Sequence, residues 1–135
     1  MSDVLDILLN GTARNVQREV PEQDYKVIRL SSELGQDVIF RLRALPYSTV
    51  AALRGDQNLD ISAVLGGVVS PDFKDVRLAA KYGLLKEGEP WGAHGVTPPE
   101  LVQAMLLPGE IAAISLAVQK LSGYSVTTME EVKKN

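Results

Sequence analysis

His94 is the single histidine of the chain, and it stands in the stretch Gly88-Glu89-Pro90-Trp91-Gly92-Ala93-His94-Gly95. A lone imidazole in such a loop is a candidate general acid or metal ligand, and either role needs partners close by. Thiolate partners are missing, because the chain has no cysteine; zinc–thiolate sites, iron–sulfur centres and disulfides are excluded with them. The acids are spread singly apart from Glu130-Glu131, whereas a hard-metal site needs them clustered. Gly66-Gly67 lacks both the Lys-Ser/Thr of a phosphate loop and the spacing of a dinucleotide fingerprint. No nucleophile elbow is present. His94 therefore reads as a solvated loop residue. No catalytic, metal or cofactor-binding residue is assigned, and the chain is expected to be no enzyme and to need no cofactor.

Two other features carry charge or anchoring capacity. Arg41 and Arg43 share one face of a candidate strand, where they would grip a phosphate or a partner's carboxylate, or simply solvate the sheet. Trp91, in an otherwise polar loop, has two readings: a side chain folded back on the core, or an anchor for a partner.

The frame around these residues is that of one small soluble domain. The chain has 135 residues, is 45% hydrophobic and carries a net charge of −3, with mean hydropathy close to zero. That length suffices for a core without metal or disulfide help. Two Phe, one Trp and four Tyr leave the core mostly aliphatic. The acidic balance argues against nucleic acid, which is held by a basic surplus. No apolar run approaches the ~20 residues of a membrane helix. The start, Met1-Ser2-Asp3-Val4-Leu5-Asp6, has acids where a signal peptide has Lys or Arg; a cytoplasmic protein is expected.

Along the chain, Ser2 is placed to cap a helix from Asp3 to Leu9 that stops at Asn10-Gly11. Thr12 to Asp24 reads as a polar linker, so residues 1–24 form an N-terminal helix and tether. Strands are predicted over Tyr25–Leu30 and Asp37–Leu45, the second by its alternation of apolar and polar positions. Ser31 to Gln36 between them reads as a hairpin turn. Helices follow from Pro46 to Leu53, after an Asp60 cap through Ile61, Val64, Leu65 and Val68, and from about Asp75 to Gly83. Gly66-Gly67 costs its helix about 1 kcal/mol per glycine relative to Ala, which points to close packing there. Pro71-Asp72-Phe73 is a turn, and Leu84 to Gly95 a loop. Thr97 and Glu100 spell a capping box, with Val96 and Leu101 at the positions of a hydrophobic staple and Pro98 at the first helical position. Pro108 breaks the chain between helices Pro98–Leu107 and Gly109–Ser122. Residues 125–135 form a polar tail, with a helix cap available at Thr128 and Glu131. The predicted class is α+β: an N-terminal β-hairpin followed by a mostly helical domain, residues 25–124, with a C-terminal helical hairpin.

That hairpin is apolar nearly all round, which means either a central position or a covering partner. Candidate protein-binding residues are therefore Leu101, Met105, Leu106, Ile111, Ile114, Leu116 and Val118, joined by Leu5 and Leu8 of the first helix and by Trp91.

The order Phe40-Arg41-Leu42-Arg43-Ala44-Leu45, Val68-Val69-Ser70-Pro71-Asp72-Phe73, Lys81-Tyr82-Gly83 and Met105-Leu106-Leu107-Pro108-Gly109-Glu110 resembles the XkdN-like proteins of phages and prophages, from about Tyr25 to Tyr124. The resemblance implies a tail assembly chaperone, acting in the host cytoplasm and absent from the mature virion. It implies the tape measure protein as partner, with the tail tube protein and a homo-oligomer as further associations, and neither nucleic acid nor membrane. The alternative is a structural tail or connector component that forms a homo-oligomer. The resemblance supplies no catalytic residues. It leaves the N-terminal helix outside and gives Trp91 and His94, in a longer loop than the family's, no role. Lys133-Lys134-Asn135 is compatible with an adenine run and hence a frameshifted longer form, which only the gene would reveal.

Overall fold

Alternation along Ile39–Arg43 makes that segment, β2, the middle of a three-stranded sheet: Phe40 and Leu42 are buried while Ile39, Arg41 and Arg43 face out. The computed structural model describes residues 3–132. β1 (Glu22–Lys26) pairs antiparallel with β2, setting Glu22 opposite Arg43 and Tyr25 opposite Phe40. β3 (Val68–Ser70) pairs antiparallel on the other side, with a register shift between Arg41 and Leu42. The fold is α+β, with the β1–β2 hairpin toward the N-terminus and helices making up most of the rest.

Several boundaries differ from the sequence expectation. The strand predicted over Tyr25–Leu30 divides: β1 begins earlier, inside the predicted linker, and Ile28–Leu34 forms a helix, α2. The Ser31 hydroxyl accounts for this. It donates to the Val27 carbonyl at 2.8 Å and accepts the Val38 N–H at 2.8 Å, tying the helix to the head of β2. Gly35, at φ 69°, then ends α2 in the left-handed region that suits glycine. The run from Ser31 to Gln36 is thus a helix end, not a tight turn. Val68, which the helical spacing assigns to the preceding helix, instead opens β3, and with Val69, also β-branched, it adds to the sheet edge.

The remaining helices begin close to their predicted signals. α1 (Val4–Asn10) is capped by Asp3, whose carboxylate accepts the Asp6 N–H at 2.9 Å; the predicted cap, Ser2, lies outside the described residues. α3 spans Tyr47–Leu53 and α4 spans Leu59–Gly67. Asp60 lies in the first turn of α4, not at its cap, and accepts the buried Ser115 hydroxyl at 2.8 Å. α5 (Val76–Lys81) is capped by Asp75. α6 (Pro98–Met105) opens on the predicted Thr97–Glu100 pairing, with Glu100 accepting the Thr97 N–H at 2.8 Å. α7 (Pro108–Leu121) has Pro108 as its first residue, and the chain turns through 113° between the two helices. The polar tail carries no helix within the described residues, so the cap available at Thr128 is not used there; so short a segment gives little to offset the cost of helix nucleation. No single described helix is long and apolar enough to cross a membrane.

α7 is the centre of the molecule. Its Ile111, Ile114, Ser115 and Val118 are buried against Ile61, Val64 and Gly67 of α4, Leu101, Val102 and Met105 of α6, and the inner face of β2. Phe40 meets Phe73 edge to face, with ring centroids 5.9 Å apart.

Candidate protein-binding surface

The central place of α7 redistributes the candidate binding residues. Leu101, Met105, Leu106, Ile111, Ile114 and Val118 lie in the chain's own core. Apolar all round meant central here. Leu116 stays outside at 44% exposure, and so do Leu5 and Leu8 of α1, at 61% and 64%. Trp91 folds back: it is half-buried, packs against the core and donates its indole N–H to the Lys74 carbonyl at 2.8 Å.

α1 owes its exposure to its position. Val4, Leu5, Ile7, Leu8 and Leu9 are each at least 60% exposed, and every residue of the helix faces solvent. Five large aliphatic side chains on a free helix form an apolar patch of the kind that marks an interaction surface.

A second surface was not anticipated. Between β1, the start of α2 and the open side of α7 runs an apolar groove of about 460 Å³. Tyr25 and Leu42 line it from the sheet, Val27 and Ile28 from the strand-to-helix junction, and Ile114 from α7. It stays open because α7 presents Gly109, Ala113 and Ala117 on that side, small residues one helical turn apart that cannot reach the sheet. Their spacing was the available sequence signal, on the face opposite the Ile-rich stripe. Ile28, at 80% exposure, stands at the rim.

The rim is polar and internally braced. Arg29 Nε donates to both carboxylate oxygens of Glu110, at 3.2 and 3.1 Å, and Nη2 donates to Glu110 Oε1 at 3.0 Å and to the Met105 carbonyl at 2.7 Å. Nη1 reaches Glu33 at 3.0 Å. Burial pushes the Glu110 carboxyl up, but the bonds from Arg29, the Leu107 N–H and the guanidinium charge together hold it below its ordinary range. Lys26, also on the groove, pairs with Asp37 at 3.1 Å.

The other candidates are engaged within the chain. Arg41 bonds Glu22 and Asp24 of β1 at 3.4 and 3.2 Å, and Arg43 donates to the Gly66 carbonyl at 3.0 Å. His94 is an exposed loop residue whose Nε2 lies 2.8 Å from Glu89. The Lys86 N–H, and then His94, draw the Glu89 carboxyl below its usual range. Among the described residues no group of three or more His, Cys, Asp or Glu is arranged to hold a metal ion.

The family model of the phage XkdN-like tail assembly chaperone proteins matches residues 55–134, more than half of the chain. The match takes in α4 to α7, the loop with Trp91 and the tail, and leaves out α1 and the β1–β2 hairpin. No curated protein and no solved structure matches the chain.

Proposed function

We propose that this chain, which belongs to the phage XkdN-like tail assembly chaperones, binds the tape measure protein of its phage and keeps it soluble until the tail tube forms. The observation that carries this reading is the aliphatic surface left outside the core: α1, the groove beside α7, and Leu116. Long amphipathic helices aggregate through their apolar faces, and a holding protein must offer such faces a replacement. Leu, Ile and Val side chains suit that task, since apolar contact is non-directional and tolerates different sequences. The chain would act without catalysis or cofactor, in the host cytoplasm, and leave before the virion is complete.

Co-expression with the neighbouring tape measure protein tests the reading. The expected result is a soluble complex that co-purifies, with this chain absent from purified particles. An insoluble tape measure protein, together with this chain in finished tails, would overturn it in favour of a structural tail component.

A further inference from the structure

We propose that the C-terminal tail is a strap that closes over an apolar pocket between α3, α4 and the end of α7, with Met129 filling the pocket and Glu130-Glu131 meeting Arg54. Neither the pocket nor the strap shares a residue with α1, the groove beside β1 or Leu116. The inference therefore stands apart from where a client binds.

The pocket measures about 210 Å³. Val50 and Leu53 of α3 form one wall, Leu59 and Ala63 of α4 another, and fully buried Val118 of α7 lies beneath. Only Gln119, Ser122 and Tyr124 bring polar side chains to it. α3 has seven residues and none of them is buried. It hangs between Pro46 and Gly55, where the chain turns at φ 90°. So short a helix is stabilised chiefly by packing, and the open pocket beneath α3 withholds it.

The tail begins at this pocket. The Tyr124 N–H donates to the Gln119 carbonyl at 2.9 Å, and the Leu45 N–H donates to the Ser122 hydroxyl at 2.8 Å, so the root of the tail is fixed beside the entry to α3. Ser125, at φ 58°, then turns the chain back. Thr128 Cγ2 comes to 4.0 Å from where a Cβ on Gly123 would stand. In this otherwise polar tail Val126, Met129 and Val132 recur at every third position, and Met129 is 87% exposed. An extended polyproline II chain has about three residues per turn and advances about 3.1 Å for each, so the three share one face and Met129 can stand about 16 Å from Tyr124. At 1.5 Å per residue α3 is only about 10 Å long, which puts the whole pocket within reach. The unbranched thioether of Met129 suits an irregular apolar gap.

Charge selects this occupant. Arg54, next to Leu53 of the pocket wall, lies 5.5 Å from the centroid of the Tyr47 ring. It makes no ion pair with a carboxylate among the described residues. Glu130 and Glu131 are the only adjacent acids in the chain, and neither is paired with a described cation. Seating Met129 brings both to the rim that Arg54 occupies. The family match also runs through the tail to residue 134, so the strap belongs to the same stretch of shared sequence as two walls of its pocket.

The experiment is methyl nuclear magnetic resonance of the full chain, labelled at its three methionines, with Met129→Leu assigning the signal. At low ionic strength the Met129 methyl should show Overhauser contacts to the methyls of Val50 and Leu53. Those contacts should be lost in a Glu130→Gln, Glu131→Gln double variant and in high salt, where an exposed charge pair is screened. Absent contacts, or contacts indifferent to both changes, would overturn the proposal. Because the chain has no cysteine, a Leu53→Cys, Met129→Cys double variant gives a second readout. It should close within one chain faster than an Ile28→Cys, Met129→Cys variant, whose first site lies on the other groove. Equal rates would overturn the proposal by showing a free tail. Disulfides between chains would overturn it too, by placing the tail on a second copy.

Discussion

Gly67 lies directly against Val118: a Cβ added to the glycine would fall 2.5 Å from one methyl of that valine and 2.8 Å from the other. This contact sets how closely α4 and α7 approach. It gives a packing reason for Gly67, the second of the two successive glycines that weaken the end of α4, because Val118 is fully buried and has nowhere to move.

Gly67→Ala should therefore destabilise the protein by about 1–3 kcal/mol, the usual cost of overpacking a filled core. Gly66 differs. Its added Cβ would meet only the tip of the Leu45 side chain, at 3.3 Å, which a small rotation relieves. Gly66→Ala should match or exceed wild-type stability, because Ala is worth about 0.5–1 kcal/mol over Gly inside a helix. Urea unfolding distinguishes the two. Val118→Ala in the Gly67→Ala background should restore part of the loss, a non-additivity expected of residues in contact.

The Arg29–Glu110 pair predicts a pH dependence. Burial alone would raise the Glu110 pKa, but the Arg29 bonds, the Leu107 N–H and the guanidinium charge bring it below the ordinary 4.5. A carboxyl with a depressed folded-state value stabilises the fold above its unfolded value, and that contribution disappears as pH falls through the folded value. Glu110→Gln should thus cost about 1.5–3 kcal/mol at neutral pH, the scale of hydrogen bonds to charged groups. The gap from wild type should narrow as pH drops below about 4. Asp75, held at about 2 by its bonds from Arg77, adds an acid slope of its own to both proteins, so their difference isolates Glu110. A gap that stays constant down to pH 3 would refute the assignment.

How far the fold was legible depended on whether its signals were local. Thr97 with Glu100, the alternation along Ile39–Arg43 and the helix start near Asp75 are contacts or patterns within a few residues, and each appears as expected. The α2 helix was not legible, because the Ser31 hydroxyl holds it by a bond to Val38, and such a bond has no periodicity. The binding surface failed differently. Apolarity around the α6–α7 hairpin was real, but whether it is core or surface depends on what packs against it. Asp60 illustrates the same point, since the partner that draws it out of capping is Ser115, 55 positions away. The groove was written in the spacing of Gly109, Ala113 and Ala117, yet small residues signal a gap only once the opposite wall is known.

Trp91 offers a fluorescence test. Its indole donates to the Lys74 carbonyl and its ring rests on the core, so it braces the loop between α5 and α6. Trp91→Phe keeps the ring contact and removes the bond, and should lower stability by about 1 kcal/mol. Emission from the wild type should stay constant when the tape measure protein binds. A marked shift would return Trp91 to the interface.

Met105 and Leu116 separate folding from binding on the same pair of helices. Met105 is 7% exposed and Leu116 is 44% exposed. Met105→Asp places a carboxylate among aliphatic side chains with no partner, and should cost more than about 3 kcal/mol, a large share of the roughly 5–15 kcal/mol that keeps an ordinary domain folded. Loss of binding in that variant carries no information about the surface. Leu116→Asp should keep the wild-type circular dichroism and lie within about 0.5 kcal/mol of it, as exposed substitutions do. If the client also touches the open side of α7, Leu116→Asp will retain less tape measure protein in a pull-down at equal folded concentration. Undiminished retention would take Leu116 off the surface and leave client binding to α1 and the groove, where Leu5→Asp provides the corresponding test.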